Sequence, residues 1–417
     1  MKTNRPCGKS REAPSWPLVH CAAVSPSASP LQVDAVASDV VAHMSRQERP
    51  RTPSRGRGRL SGLLYREDMD EVRARLTTWW HGGDIGRPAM QITAPRSEPL
   101  PTVEAMPEPE GWVTNYSTSS FDYRVNLAAR ACAGTYYLGE AVPATAPDLG
   151  PNCLALFLGC EGVETPGTVW FKPCIGRPEE AVFEFARDNF YWDFCLRLAR
   201  EQLRLGEGRY LVQFPDLIEG LDTLAAMRGT ERLLLDLVER PEWVRESVRK
   251  ITQLYFRYYD VLYDMVRDEV GGSHYWAWAP GRLAKFQCDF SAMISPEMFG
   301  ELMVPVLKEM CERVSYSIYH WDGPGALGHQ DHLLRIQKLD MLQWTAGEGH
   351  EPAWHKRWWP YYHRTIEAGK KCMIGGGCIE DLKRLKAEFG EGLKQFLIGM
   401  TAESPAQAGE ILKTAEA

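Results

Sequence analysis

The feature of this sequence that most restricts its fold is a regular alternation of short apolar runs with amphipathic helical segments. From about residue 168 onward, runs such as "TVWFKPCI", "RYLVQFPD", "AKFQCDF", "SYSIYH", "LDMLQWTAG", "KCMIGGG" and "QFLIGMT" are separated by segments with helical periodicity. Repeated strand-then-helix units predict a parallel sheet. About seven or eight such units predict an α/β fold, a closed (β/α)8 TIM barrel, with a doubly wound open sheet as the alternative. No GxGxxG motif follows a first strand, which disfavours the dinucleotide-binding version of that alternative.

The first 60 residues have a different composition from the rest. Residues 1–60 are rich in Pro, Ser, Ala and Arg and end in "RQERPRTPSRGRGR". Their lack of apolar periodicity predicts that they form a disordered extension. Alternatively, the start codon is assigned too early, and Met44 or Met69 is the true start. Residues 61–417 are expected to form the barrel.

Overall composition excludes several classes of function. The chain is 44% hydrophobic, which is typical of a globular protein. Its formal net charge of −7 argues against binding to nucleic acid or to an anionic membrane. Eleven cysteines without a CxxC pair are typical of a reducing compartment. We therefore expect a cytoplasmic globular protein that binds a small-molecule substrate.

Polar side chains follow the predicted strands at the end where TIM barrels carry their active sites. These residues are Asp216, Asp289, His320, Asp322, Glu348 and Cys378. The carboxyl ends of parallel strands meet at one edge, so the six side chains are expected to converge on one rim.

His320 and Asp322 are the strongest candidates for metal ligands. They are two residues apart in an extended run, and this spacing puts both side chains on one face of the strand. Imidazole and carboxylate both bind zinc, and Cys378 with Glu348 could complete a site that leaves one position open. In the structural alternative, His320 only hydrogen-bonds to Asp322 or to a backbone carbonyl, and Cys378 is a small buried residue. Asp216 and Asp289 could likewise be helix caps or turn residues.

Several stretches together resemble one known superfamily. "ISPEMFGELMVPVLKEM" followed by "SIYHWDGPG", and the earlier "AAMRGTERLLLDLVERPEWVRESV", are similar to the uroporphyrinogen decarboxylase superfamily, including its cobalamin-related methyltransferase branch. The resemblance covers about residues 63–417 and implies a TIM barrel. It also matches Asp289 to the aspartate before the ISPEMF-like helix and His320 to the histidine of the next strand.

The sequence departs from the pattern of that superfamily at two points. The methyltransferase branch binds zinc through His-x-Cys and a later Cys, whereas this chain has His320-Trp321-Asp322 and then Cys378. A carboxylate in place of a thiolate makes the site harder and favours oxygen chemistry over thiol methylation. The arginine-rich "MRQAGRYLPEY" type of segment that grips tetrapyrroles in the decarboxylases is missing, so porphyrinogen decarboxylation is disfavoured.

The resemblance and the rim residues together predict a metal-assisted methyltransferase or demethylase acting on a small oxygen- or nitrogen-linked methyl group. Its zinc ligands would be His320, Asp322 and Cys378, and a corrinoid bound to a partner protein would carry the methyl group. Glu348, Asp289 and Asp216 are the candidate catalytic residues, with Glu348 as a fourth ligand or proton donor. The alternatives are a decarboxylase-like lyase, a glycoside-active barrel that uses Asp322 and Glu348, and a barrel that binds a cofactor or partner without turnover.

Overall fold

The structure of the chain is a computed structural model that describes residues 62–97, 100 and 103–417. The predictions made for residues 1–60 lie outside the described residues. Within them the fold is mixed α/β, with a central, mostly parallel sheet and helices between its strands. None of the described helices is both long enough and apolar enough to span a membrane.

The described residues form twelve α-helices, and from residue 296 onward each helix follows a strand of the sheet. They are α1 (Met69–Trp80), α2 (Phe121–Gly134), α3 (Cys153–Phe157), α4 (Phe190–Gly206), α5 (Gly220–Arg228), α6 (Thr230–Glu239), α7 (Pro241–Val266), α8 (Pro296–Glu312), α9 (Gln330–Leu334), α10 (Trp359–Glu367), α11 (Ile379–Phe389) and α12 (Pro405–Glu416).

The strands form one large sheet and three small ones. They are β1 (Ala89–Pro95), β2 (Thr135–Gly139), β3 (Ala144–Thr145), β4 (Glu161–Glu164), β5 (Val169–Lys172), β6 (Leu211–Val212), β7 (Ser273–Tyr275), β8 (Ala277–Ala279), β9 (Leu283–Gln287), β10 (Tyr316–Asp322), β11 (Met341–Thr345), β12 (Lys371–Gly375) and β13 (Phe396–Thr401).

The large sheet has the order β2-β1-β13-β12-β11-β10-β9, and all its pairings are parallel except the antiparallel pairing of β1 with β2. The remaining strands pair as β3 with β6, β4 with β5, and β7 with β8. No sheet is closed among the described residues. The predicted α/β class with a parallel sheet is confirmed, but the closed (β/α)8 barrel is not.

The sequences of β9 and β10 explain why these two strands are buried. All five residues of β9 are buried, and β10 has a buried run from Ser317 to Trp321. Such continuous apolar runs are typical of parallel strands covered on both faces. Helix α8 begins as its sequence predicts, because the Ser295 side chain accepts a hydrogen bond from the Met298 N–H (3.2 Å) and Pro296 occupies the first turn.

Two predicted elements differ from the structure in the first half of the body. "TVWFKPCI" contributes β5, which pairs antiparallel with β4 in a separate hairpin instead of joining the parallel sheet. The helical periodicity that follows this run in the sequence, "PEEAVFEFARDNFYWDFCLRLAREQL", predicts a helix from residue 178, but the helix starts only at Phe190, where the Asn189 side chain accepts a hydrogen bond from the Trp192 N–H (2.9 Å). An Asn N-cap satisfies one of the N–H groups that a helix start leaves free, which fixes the boundary there.

Candidate metal centre

Three side chains that can bind a metal ion meet at the carboxyl ends of β9 and β10. Asp289, His320 and Asp322 each offer one ligand atom, and these atoms all lie within 4.8 Å of one another. His320 and Asp322 are the fifth and last residues of β10, and Asp289 follows β9 after one intervening residue. The sheet therefore delivers two carboxylates and one imidazole to a single point.

The strand register explains this convergence. His320 lies beside Gln287 of β9 and beside Gln343 of β11, so these three residues form one row across the sheet. Asp322 is in register with Thr345 of β11. Residues two apart on a strand share a face, so Asp289 and Asp322 continue the same face one step further toward the carboxyl end.

His320 is held in a form that can bind a metal. Its Nδ1 makes a short hydrogen bond with Oε1 of Gln343, and the Gln343 amide is oriented by donating from Nε2 to the Thr345 Oγ1 (2.9 Å). Because Oε1 can only accept, Nδ1 carries the proton and Nε2 keeps its lone pair. Burial, followed by the nearby Lys285 ammonium, lowers the pKa of His320 to about 4. The imidazole is therefore neutral at pH 7.

Asp289 has one oxygen engaged and one without a partner. Its Oδ2 accepts from Nε2 of Gln287 (2.9 Å), and the Oε1 of that amide accepts from Nζ of the buried Lys285. Oδ1 is buried and has no hydrogen-bond partner among the described residues. Burial, followed by the negative charges of Asp222 and Asp322, raises the pKa of Asp289 well above its usual range.

Asp322 repeats this pattern on the neighbouring strand. Its Oδ1 is buried and also has no hydrogen-bond partner within the described part of the chain. Burial and the Asp222 charge raise the pKa of Asp322 to about 6, although the backbone N–H of Gly323 opposes the shift. A buried carboxylate oxygen without a donor costs free energy, and a bound cation would remove that cost.

The surroundings of the three residues are strongly acidic. Asp222 accepts hydrogen bonds from the backbone N–H groups of Asp289 and Phe290 (both 2.8 Å), and so fixes the turn that carries Asp289. The buried Lys285, which bonds to Gln287, is a cation near this turn, but its Nζ is already paired with Oδ1 of Asp216 (2.6 Å). The local balance therefore favours a further positive charge, and the donor atoms suit a divalent metal.

One aromatic side chain borders the site in an unusual conformation. Trp276, between β7 and β8, has φ +59°, a value in the left-handed region that non-glycine residues seldom adopt. Its ring centroid lies 5.5 Å from that of His320 with an interplanar angle of 79°. The indole therefore packs edge-to-face against the imidazole and helps to hold the ring in position.

The structure separates the predicted rim residues into two sets. His320, Asp322 and Asp289 come together, and Asp289 joins them as a candidate ligand although it was predicted to be catalytic. Cys378 is outside this group: its thiol accepts from the first turn of α11, and its N–H donates to Oδ2 of Asp381 (3.0 Å). Cys378 therefore does not belong to this group of three, and its role as a metal ligand stays a prediction.

The other two predicted residues have separate surroundings. Glu348 is exposed on the turn after β11. Asp216 forms the ion pair with Lys285 and accepts a hydrogen bond from the Tyr275 hydroxyl (2.6 Å). It therefore contacts the candidate ligands only indirectly, because Lys285 in turn bonds to Gln287. Their catalytic roles stay predictions.

Sequence reasoning missed the residues that orient the candidate ligands. Gln287, Gln343, Lys285 and Asp222 were not singled out, yet all four hydrogen-bond to the candidate ligands or to their partners. The signal was present in "AKFQCD" and "MLQWT", where polar residues occupy alternate positions of apolar strands. A Lys and a Gln at such positions need partners inside the fold.

Comparisons with known proteins yield a fold similarity alone. No protein-family profile matches the sequence. No curated protein sequence matches it either. Among solved structures, the chain is similar to a methyltransferase from Methanosarcina mazei with a TM-score of 0.51 and 11% identity, over 83% of this chain and 98% of that one. RipC from Yersinia pestis aligns over 58% of this chain and 87% of its own length at 12% identity and a TM-score of 0.25, which is too low to bear on the fold.

Proposed function

We propose that this chain is a metal-dependent enzyme that removes or transfers a methyl group bound to oxygen or nitrogen in a small molecule. The observation that carries the proposal is the meeting of a neutral imidazole at His320 with two buried carboxylate oxygens, on Asp289 and Asp322, that have no hydrogen-bond partner in the described part of the chain. The similarity in fold to an archaeal methyltransferase supports the class of reaction. So does the sequence resemblance to the cobalamin-related branch of the uroporphyrinogen decarboxylase superfamily.

Asp289, His320 and Asp322 would hold the metal, which we propose to be zinc. Two carboxylates and one imidazole form a harder donor set than one that includes thiolates. Three protein ligands leave a position for substrate, as catalytic zinc sites require. A bound zinc ion supplies Lewis acidity, which stabilises negative charge on the heteroatom that loses its methyl group.

The chain's own residues orient the ligands and leave room for a substrate. Gln343 fixes the tautomer and ring plane of His320. The Gln287 amide donates to Oδ2 of Asp289, so the other carboxylate oxygen, Oδ1, points away from that amide. On the same face of the sheet, Gly375 of β12 pairs with Gly399 of β13, and a Cβ on either would meet no atom closer than 3.9 Å. These paired glycines leave unfilled the volume of two side chains on that face, separated from the ligand-bearing β10 by β11, and a small substrate would fit there.

Glu348 is proposed as the proton donor to the demethylated heteroatom. It follows Gly347, and a Cβ placed on Gly347 would lie 3.9 Å from Oδ1 of Asp322. The loop that carries Glu348 therefore runs alongside the candidate ligands. Because Glu348 is exposed, it can exchange its proton with solvent between turnovers.

Two finer features belong to the same proposal. We infer that the small sheets extend the large one toward a barrel of the superfamily type. The 3.4 Å hydrogen bond from the Phe214 N–H, just after β6, to the His274 carbonyl of β7 supports this arrangement.

A corrinoid on a partner protein is the proposed methyl acceptor, because a methyl cation needs a strong nucleophile and the described site holds none.

Methyl transfer is tested directly with a reduced corrinoid. Purified full-length protein, loaded with zinc, is mixed with free cob(I)alamin and a panel of methoxylated and N-methylated small molecules, and methylcobalamin formation is followed by absorbance. We expect turnover with at least one donor, loss of turnover in His320→Ala, and near-normal turnover in His274→Ala. Zinc binding without methyl transfer to any donor, or equal turnover in both variants, would contradict the proposal.

A further inference from the structure

A second reactive site is independent of the candidate metal centre and consists of two cysteines at the open end of the β4–β5 hairpin. Cys160 directly precedes β4, and Cys174 follows β5 after one intervening residue. Their Sγ atoms are 3.8 Å apart, which is van der Waals contact between two sulfur atoms. We propose that Cys160 and Cys174 form a dithiol modification site, which a small-molecule disulfide converts into an intramolecular disulfide bond.

Backbone hydrogen bonds on both sides hold the two thiols together. The Cys160 N–H donates to the carbonyl of Ala155 in α3 (3.0 Å), and the Ile175 N–H, next to Cys174, donates to the Met227 carbonyl of α5 (2.8 Å). Glu161 pairs with Lys172 and closes the hairpin beside them. The sulfur contact is therefore set by the fold. A disulfide needs the sulfur atoms to approach by roughly a further 1.8 Å, a distance that side-chain rotation can supply.

The two thiols differ in a way that assigns each a role. Cys174 is exposed, whereas Cys160 is buried. A hydrogen bond from the Cys160 thiol lowers the pKa of Cys174 below its usual range, and burial opposes this shift. Exposure and thiolate character together make Cys174 the attacking group, and the neighbouring Cys160 is placed to resolve the product.

The other described thiols have the opposite character. Burial raises the pKa of Cys132 and Cys311 to about 12, and raises that of Cys153, Cys195, Cys288 and Cys372 as well. Cys378 is partly exposed, but its pKa is also raised, by desolvation. The Cys160–Cys174 pair is therefore the most reactive thiol site in the described part of the chain.

The reaction balances as two successive thiol–disulfide exchanges. The Cys174 thiolate attacks one sulfur of the small disulfide, the S–S bond of the reagent breaks, and one small thiolate leaves and takes up a proton. Cys160 then loses its proton and attacks the Cys174 sulfur, which expels the second small thiol. The protein loses two electrons and two protons, and one disulfide molecule becomes two thiol molecules.

The test uses the full-length chain with oxidised glutathione and maps the products by non-reducing digestion and mass spectrometry. We expect a Cys160–Cys174 disulfide that forms at least about tenfold faster than any adduct on Cys378. Cys160→Ser should stop at one glutathione on Cys174, and Cys174→Ser should show neither product at this site. Cys378→Ser is the matched control and should leave the Cys160–Cys174 disulfide unchanged.

Two results would overturn the proposal. One is a stable glutathione adduct on Cys174 of the unmodified protein, at the same level as in Cys160→Ser. The other is modification spread evenly over Cys174 and Cys378. Neither result depends on the metal centre, so this test and the methyl-transfer test fail separately.

Discussion

Two histidines on neighbouring parts of the fold have nearly the same local chemistry but different neighbours. His320 of β10 bonds through Nδ1 to Oε1 of Gln343, and His274 of β7 bonds through Nδ1 to Oε1 of Gln213 (2.7 Å). Burial lowers the pKa of each to about 4, so both are neutral imidazoles.

The difference lies in the acids around them. His320 lies within 4.8 Å of ligand oxygens of Asp289 and Asp322, whereas His274 belongs to no such group among the described residues. An amide-oriented neutral imidazole is therefore not enough to define a metal site. Two buried carboxylate oxygens, Oδ1 of Asp289 and Oδ1 of Asp322, have no hydrogen-bond partner among the described residues and distinguish the surroundings of His320 from those of His274. This comparison supplies matched control variants for the predictions on His320 and Gln343.

The largest expected effect is the loss of metal affinity when His320 is removed. His320→Ala should weaken zinc binding by more than about 1,000-fold, because even an orienting partner of a ligand is worth about 10- to 100-fold. His274→Ala removes an equally buried imidazole and should leave zinc affinity within about threefold. Isothermal titration of the metal-free proteins with zinc measures both affinities. Equal losses of affinity in the two variants would contradict the assignment of His320, and not His274, as a ligand.

The pH dependence of zinc affinity should come from the acids and not from the imidazoles. Metal ligands must be deprotonated, and Asp289 and Asp322 both have raised pKa values, the latter about 6. Affinity should fall by about 100-fold from pH 7 to pH 5.5, more steeply below pH 6, where Asp322 is also protonated. Titrations in buffers of different ionisation enthalpy should show proton release at pH 7. A flat profile over this range would contradict the raised pKa values.

The amide that orients each histidine should matter at one site only. Gln343→Leu should reduce zinc affinity by about 10- to 100-fold, because His320 loses the acceptor that fixes its tautomer. Gln213→Leu makes the same change at His274 and should have no measurable effect on zinc binding. If both substitutions weakened binding alike, the cause would be general destabilisation and not orientation of the ligand.

The smallest effect is on the stability of the metal-free protein. A folded-state pKa raised to about 6 means that Asp322 contributes stability below its unfolded pKa and loses that contribution as pH rises through 6. Metal-free Asp322→Asn should therefore have a Tm about 2–4 °C above the unmodified protein at pH 8, with little difference at pH 4. Zinc should reverse the order at pH 8, because only the unmodified protein binds it well. Differential scanning calorimetry at both pH values measures this.

Sequence patterns were most informative in the second half of the chain. The apolar runs and helix caps from residue 283 onward predicted β9 to β13 and α8, and the spacing of His320 and Asp322 placed both on one face. They were informative because each strand there is followed by its own helix, so local periodicity and tertiary packing agree.

The rest depended on contacts that local sequence does not encode. Asp289 faces Asp322 because of the register between β9 and β10, and the Asp222 side chain reaches its turn from a helix 67 residues away. Cys378 was expected at the site because of its position after a strand, but it follows three glycines and is the N-cap residue of α11, where its thiol accepts from the first turn of the helix. Strand ends show which residues are near the rim, and the turns after them decide where each side chain points.

The ligand set is tested most directly by X-ray absorption at the zinc edge of the zinc-loaded full-length protein. A site built from Asp289, His320 and Asp322 predicts a first shell of nitrogen and oxygen alone at about 2.0–2.2 Å, with the outer scattering of one imidazole. A sulfur shell at about 2.3 Å, or the same spectrum from His320→Ala, would contradict it.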